Sequence, residues 1–454
     1  MKKLITISLL GLFLTQTAQV QAEPHQHGGR AHTHPFPAQG VRHKHGAGAV
    51  GTLLGKGAAP ARPTSNTNAK RAPAAPAGRA NPRGGNVNAQ LQNAYKRKDY
   101  KTVYRIASAY AKQGDPAAQF VMGQLFLQGQ GQRKNPKTAF NWFKKSADKR
   151  HAGSQQLLAS LYATGTGTRK NMGQALKYYK LAAAQGVPDA MRSLGIIYEN
   201  GQGVKKNMST AMRYYEQAAN KGMTDVQLMM GERYLKGIGV KKNPGKAFQL
   251  IKKASRSGAR QADYLLGIMY ANGIGTKKNP SLAFKHISKA AKRNNTEAMH
   301  DLASMYSQGI GTKKNDAQAI KWFKKAANKG IVLAQHNLGL IYLQGIGTKK
   351  NYKVAAQWFR KAANKGYPLS QYFMGDLYVD GIGVDKSHKQ ALSWYKKAAA
   401  KNMAAAQYSV GAMYANGYGV KANIAEAKKW FQKAAKQGNA KGKNALAVLK
   451  KKGL

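Results

Sequence analysis

A Gly-x-Gly element recurs nine times at a fixed step of 36 residues, its first glycine at Gly129, Gly165, Gly201, Gly237, Gly273, Gly309, Gly345, Gly381 and Gly417. Unbroken phase over so many copies marks a stack of one supersecondary unit. A single central core is thereby excluded, because each unit has to bury its apolar face on the next. The rest of the unit keeps the same phase. An aromatic stands three residues before the first glycine, from Phe126 and Tyr162 to Tyr414, and a Gly or Ala three before that, from Gly123 and Ala159 to Gly411. Ten residues after the first glycine comes Ala, from Ala139 to Ala427, and three further on a large pair such as Trp142-Phe143 or Trp322-Phe323. All five Trp (142, 322, 358, 394 and 430) fall in this slot.

Spacings of three and four residues are helical, so each unit reads as helix, Gly-x-Gly turn, helix and short link. Asn precedes the second helix at 135, 171, 207, 243, 279, 315, 351 and 423, followed by Pro at 136, 244 and 280. That is an N-cap followed by a proline at the first helical position. The small residues let paired helices approach closely. Residues 89–114, with Tyr95, Tyr100, Tyr104 and Tyr110, read as N-terminal capping helices, 115–439 as the array, and 440–454 as a Lys-rich capping helix around Leu446, Val448 and Leu449. The expected class is all-α.

The motif resembles the Sel-1-like repeat, a relative of the tetratricopeptide repeat. Ala334–Gly366 carries the likeness most fully, with Leu338, Gly339, Tyr342, Gly345, Gly347, Asn351, Ala355, Trp358, Phe359, Ala362, Ala363 and Gly366. The resemblance implies a right-handed α/α solenoid of nine 36-residue repeats, with first helices lining a concave groove and second helices outside. It also implies an adaptor that holds other proteins, often in exported bacterial members engaged in envelope signalling or host contact, and no catalytic residues. Some exported relatives carry a disulfide in each repeat; this chain has no cysteine and departs from that branch. Thiol catalysis and Cys-ligated metal are excluded with it, and no Ser/His/Asp set has an interpretable spacing, so an enzyme is not expected.

Residues 1–22 read as a signal peptide: Lys2 and Lys3, an apolar run from Leu4 to Leu14, and a small-residue cleavage site ending at Ala22. The mature chain is expected to be periplasmic or secreted, with no membrane span. Residues 23–88 read as a disordered basic linker. Three H-x-H pairs lie there, His25/His27, His32/His34 and His43/His45. Their imidazoles are candidate ligands for Zn, Cu or Ni. Pro24, with no N–H, disfavours copper binding through the mature amino terminus.

The formal net charge is +58, which points to polyanionic partners. Its distribution is uneven. The nine first helices hold four basic residues against nine acids, whereas the chain from residue 89 onward holds 64 Lys/Arg against 16 acids. A basic ladder follows the Gly-x-Gly turns: Arg133-Lys134, Arg169-Lys170, Lys205-Lys206, Lys241-Lys242, Lys277-Lys278, Lys313-Lys314 and Lys349-Lys350, broken at Asp385-Lys386 and Lys421-Ala422. Pairs such as Lys252-Lys253, Lys324-Lys325 and Lys396-Lys397 add a second row. Lys outnumbers Arg, 57 to 18, which suits salt-sensitive contacts better than bidentate readout.

Three functional readings follow. The first is an exported scaffold that takes a protein or peptide in the groove at Phe120, Arg192, Tyr264, His300, His336, Tyr372 and Tyr408, with its basic face on an anionic envelope or host polymer. The second is a binder of lipopolysaccharide, glycosaminoglycan or DNA without a protein partner. The third is a metal-binding protein acting through the histidine pairs. His300 and His336 share one repeat position, where they serve as packing aromatics or as a pH-sensitive pair. Asp376, Asp380 and Asp385 form the densest acidic group.

Overall fold

A computed structural model describes residues 87–453. The signal segment, the histidine pairs and all but the end of the linker lie outside the described residues. Among the described residues there are 21 α-helices and no strand. Two compact units meet in sequence at Lys221 and Gly222; each is described by itself.

The first unit holds helices Val87–Lys96 and Tyr100–Lys112 and repeats 1 to 3, whose last second helix is Met208–Asn220. Ala94, Val103, Ala107, Met122 and Leu125 form its N-terminal core, walled by Tyr104, Phe126 and Trp142. The repeated Tyr works as a plate between layers. Tyr162 meets Phe140 of the preceding repeat edge-on at 5.1 Å and stacks on Tyr178 of its own repeat at 6.0 Å. The second unit holds repeats 4 to 9, from Thr224–Lys236 to Ile424–Lys436, and the final helix Ala440–Lys451. There Tyr270 lies between Phe248 at 5.3 Å and His286 at 5.7 Å. Phe431 and Leu449 join the last repeat to the final helix.

Local chemistry explains why every repeat closes alike. The first glycine of each turn sits in the left-handed region, at φ 74° in Gly129 and 73° in Gly381, where a side chain is strained. The Asn N–H then returns to the carbonyl of the aromatic nine residues earlier, as in Asn135 to Phe126 (2.8 Å) and Asn351 to Tyr342 (2.8 Å). Its side chain accepts from the third helical N–H, as from Thr138 and Val354. Ser387 performs this capping in repeat 8. The small residue of the first helix faces the second: a Cβ on Gly375 would lie 2.4 Å from the Tyr395 ring. The second glycine of the turn abuts the preceding repeat instead, and a Cβ on Gly383 would lie 2.2 Å from the Tyr352 carbonyl oxygen. The conserved phase of the motif therefore fixes both the pairing inside a repeat and the seam between repeats.

Candidate interaction surfaces

An α-helix turns about 100° per residue. Numbering each first helix from its first residue, the small residue at position 8 points at the second helix. Position 5 then lies about 60° away, whereas positions 2 and 13 lie about 120–140° away and face outward. The expected groove residues occupy position 5, and the packing follows this angle. The rings of Phe120, His300, His336, Tyr372 and Tyr408 lean on Phe143, Phe323, Phe359, Tyr395 and Phe431 of their own second helices, at 5.4–5.8 Å. Tyr264 donates its hydroxyl to Asp301 at 3.0 Å, and Arg192 pairs with Asp189 at 3.5 Å.

His300 and His336 are both buried, and each has its own partners. His300 Nδ1 lies 3.1 Å from Asp301, and His336 Nδ1 lies 2.9 Å from Ser370 Oγ. Desolvation pulls the His336 pKa down to about 3, so it stays neutral. Both act as the packing aromatics of their position.

Outward positions carry residues that composition alone did not separate. Asp189, Asp225 and Glu297 stand at position 2 and Asp380 at position 13; position 9, which holds Glu232 and Asp376, packs inward, and its residues Ile268, Ser304 and Leu340 are buried. Asp263, counted with the first-helix acids, lies elsewhere. Its carboxylate is fully buried. It accepts from Ser255 at 2.7 Å, from Lys289 at 3.0 Å and from Arg293 at 3.3 Å, with His286 at 3.4 Å. It joins repeats rather than facing a partner. Asp376 accepts a 2.5 Å hydrogen bond from Tyr395, and burial pushes its pKa up to about 7, with Asp380 adding to the rise.

All fourteen ladder cations, Arg133 through Lys350, are exposed. The second basic row differs. Each Trp carries a Lys three residues on over its ring: Lys145, Lys325, Lys361, Lys397 and Lys433, with Nζ 3.9–4.9 Å from the centroid. Lys396 donates to the Tyr414 hydroxyl at 2.8 Å. These ammoniums cover aromatic faces, an attraction worth about 0.5–1 kcal/mol at exposed sites. The Trp-x-x-Lys spacing was the sequence signal for it. Among the described residues no group of three or more His, Cys, Asp or Glu is placed to hold a metal, and no helix is long and apolar enough to cross a membrane.

Comparison with known proteins gives one consistent answer. The Sel1 repeat matches nine successive segments, 116–151, 152–187, 188–223, 224–258, 260–295, 296–331, 332–367, 368–403 and 404–439. The chain is similar to a protective antigen present in uropathogenic Escherichia coli strains, whose crystal structure displays an SLR fold. Identity is 28% over 81% of this chain and 88% of that one, with a TM-score of 0.59. A Sel1 repeat protein from Oxalobacter formigenes is also 28% identical, over 72% of this chain and 93% of that one, with a TM-score of 0.50. No curated protein matches the chain. Sel1 repeat proteins generally mediate protein–protein interaction on a scaffold that is generally non-catalytic. With nine matched repeats in an all-helical α/α solenoid, this chain belongs to the Sel1 repeat family.

Proposed function

We propose that the protein is an exported scaffold that holds a protein or peptide along the outward face of its first helices. Its basic turns rest on an anionic polymer of the envelope or of a host surface. The separation of charge carries this reading. Acids stand at outward first-helix positions, from Asp189 to Asp380, while the fourteen ladder cations are exposed at the turns. One chain thus offers two chemically opposite surfaces. The N-terminal sequence supports export to the periplasm or beyond. The test is capture of partners from envelope extract by the full chain at about 0.1 M and then about 0.5 M salt, since salt screens exposed charge more than packed contacts. A defined protein retained at high salt supports the scaffold.

The ladder also favours a second reading, a polyanion binder with no protein partner. Recovery of only glycan, lipopolysaccharide or nucleic acid, all lost at high salt, would establish that reading and overturn the first. Metal binding through His25, His27, His32, His34, His43 and His45 rests on residues outside those described. Zinc, copper or nickel titration of the full chain against a variant with these six changed to Ala tests it directly.

A further inference from the structure

One cleft is lined by basic and amide side chains. It lies in the second unit, where the second helices of repeats 5 and 6, Pro280–Lys292 and Asp316–Asn328, both end. Its volume is about 490 Å³, within the range of small-molecule sites. Two contacts made in other repeats are missing beside it. In repeats 1, 2, 7 and 8 position 4 of the first helix is a Gln whose amide donates to the carbonyl eight residues earlier, as from Gln155 to Ala147 (3.3 Å), Gln335 to Ala327 (3.0 Å) and Gln371 to Ala363 (3.1 Å). Repeat 6 has Met299 there, as repeat 3 has Met191, and Met has no donor. A second contact ties some neighbouring repeats. Lys149 donates to the Gly114 carbonyl, and Lys365 to that of Gly330 at 2.9 Å. Lys329 occupies the same repeat position, and among the described residues its ammonium makes no such bond.

Three ammoniums line the cleft, those of Lys292, Lys325 and Lys329, with no carboxylate among the lining residues. The two helix C-termini offset roughly half a charge each, leaving about two positive charges uncompensated. Asn294 and Asn328 bring amides, and Trp322 and Met299 an apolar wall. Lys alone would suit any solvated anion. Ammoniums, amides and an aromatic edge together fit a hydroxylated ring that carries a tetrahedral oxyanion. We propose that this cleft binds one anionic sugar unit, a sugar bearing a sulfate or phosphate ester. The site is distinct from the turn ladder and does not require it.

The test is calorimetric titration of the full chain at about 0.15 M salt with glucosamine 6-sulfate, glucose 6-phosphate, glucose and inorganic phosphate. At least one charged sugar binds and glucose does not; whichever ester binds more tightly assigns the source. The double variant Lys292→Ser/Lys329→Ser weakens binding at least about tenfold, the equivalent of one lost charge-assisted contact. The charge-matched variant Lys313→Ser/Lys314→Ser stays within about twofold of the parent chain. Asn294→Asp, which puts a carboxylate in the cleft at a residue whose backbone φ is 65°, reproduces the loss if the double variant fails to fold. Equal weakening by the cleft and ladder variants would show diffuse charge only and overturn the site. So would inorganic phosphate binding as tightly as the esters, or no charged sugar binding at all.

Discussion

Tyr395 donates a 2.5 Å hydrogen bond to Asp376 across the two helices of repeat 8, and this carboxyl titrates near pH 7 because burial disfavours its charge. The folded pKa lies above the unfolded value, so between about pH 4 and 7 the native state binds more protons and stability falls as pH rises. His336 works in the opposite sense. Its folded pKa is about 3, from the ordinary 6.5, so its contribution is present above 6.5 and fades as pH falls toward 3. The two slopes oppose each other across pH 4–6.5. Asp376→Asn removes one of them. Its unfolding free energy from denaturant titration should rise relative to the parent as pH increases from 5 to 8, by an amount on the order of 1–3 kcal/mol. A variant–parent difference that does not change with pH would refute the assignment.

Two glycines separate backbone strain from packing. Both adopt positive φ, 71° at Gly383 and 80° at Gly366, but a Cβ on Gly366 meets nothing within 4 Å. On Gly383 it would strike the Tyr352 carbonyl. Gly366→Ala should lose only the left-handed penalty, about 1–2 kcal/mol. Gly383→Ala adds overpacking of about 1–3 kcal/mol and loosens the seam between repeats 7 and 8. Urea unfolding of both variants measures the difference; equal losses would mean the seam is not tightly packed.

Asp263 should be replaceable by its repeat equivalent but not by a small residue. Asp263→Ala leaves Ser255 and three basic groups without their shared acceptor and should lose about 2–4 kcal/mol. Asp263→Gln puts in the amide found at Gln335 and Gln371 and should lose about 1 kcal/mol less than Ala. Thermal melts of the two variants decide it, and a Gln variant no better than Ala would deny the polar role.

Neutralising the exposed ladder should leave stability nearly untouched. Lys277, Lys278, Lys313 and Lys314 changed to Ser should shift unfolding by less than about 0.5 kcal/mol. Binding to a model polyanion such as long-chain polyphosphate should weaken, and the dependence of log affinity on log salt should flatten. An unchanged salt slope would remove these turns from the contact surface.

The helices, their caps and the exposed turns were legible in the sequence, because they depend on contacts within about ten residues. Asn351 caps its helix through the Val354 N–H, and the step of 36 placed every such pair. The small residue at Gly375 and the aromatic at Tyr378 also announced close helix pairing through spacing alone. The first helices' net acidity was visible too, but not the direction in which each acid points. That depended on the angle between position and neighbouring helix. The angle turned His300 and His336 onto Phe323 and Phe359, buried Asp263 among basic groups, and left Asp189 and Asp380 facing outward. Likewise Lys292, Lys325 and Lys329 look like ordinary members of the basic rows. Only the packing of repeat 5 on repeat 6 sets their ammoniums around one cleft, because side chains distant in sequence share a space only where two packed surfaces meet.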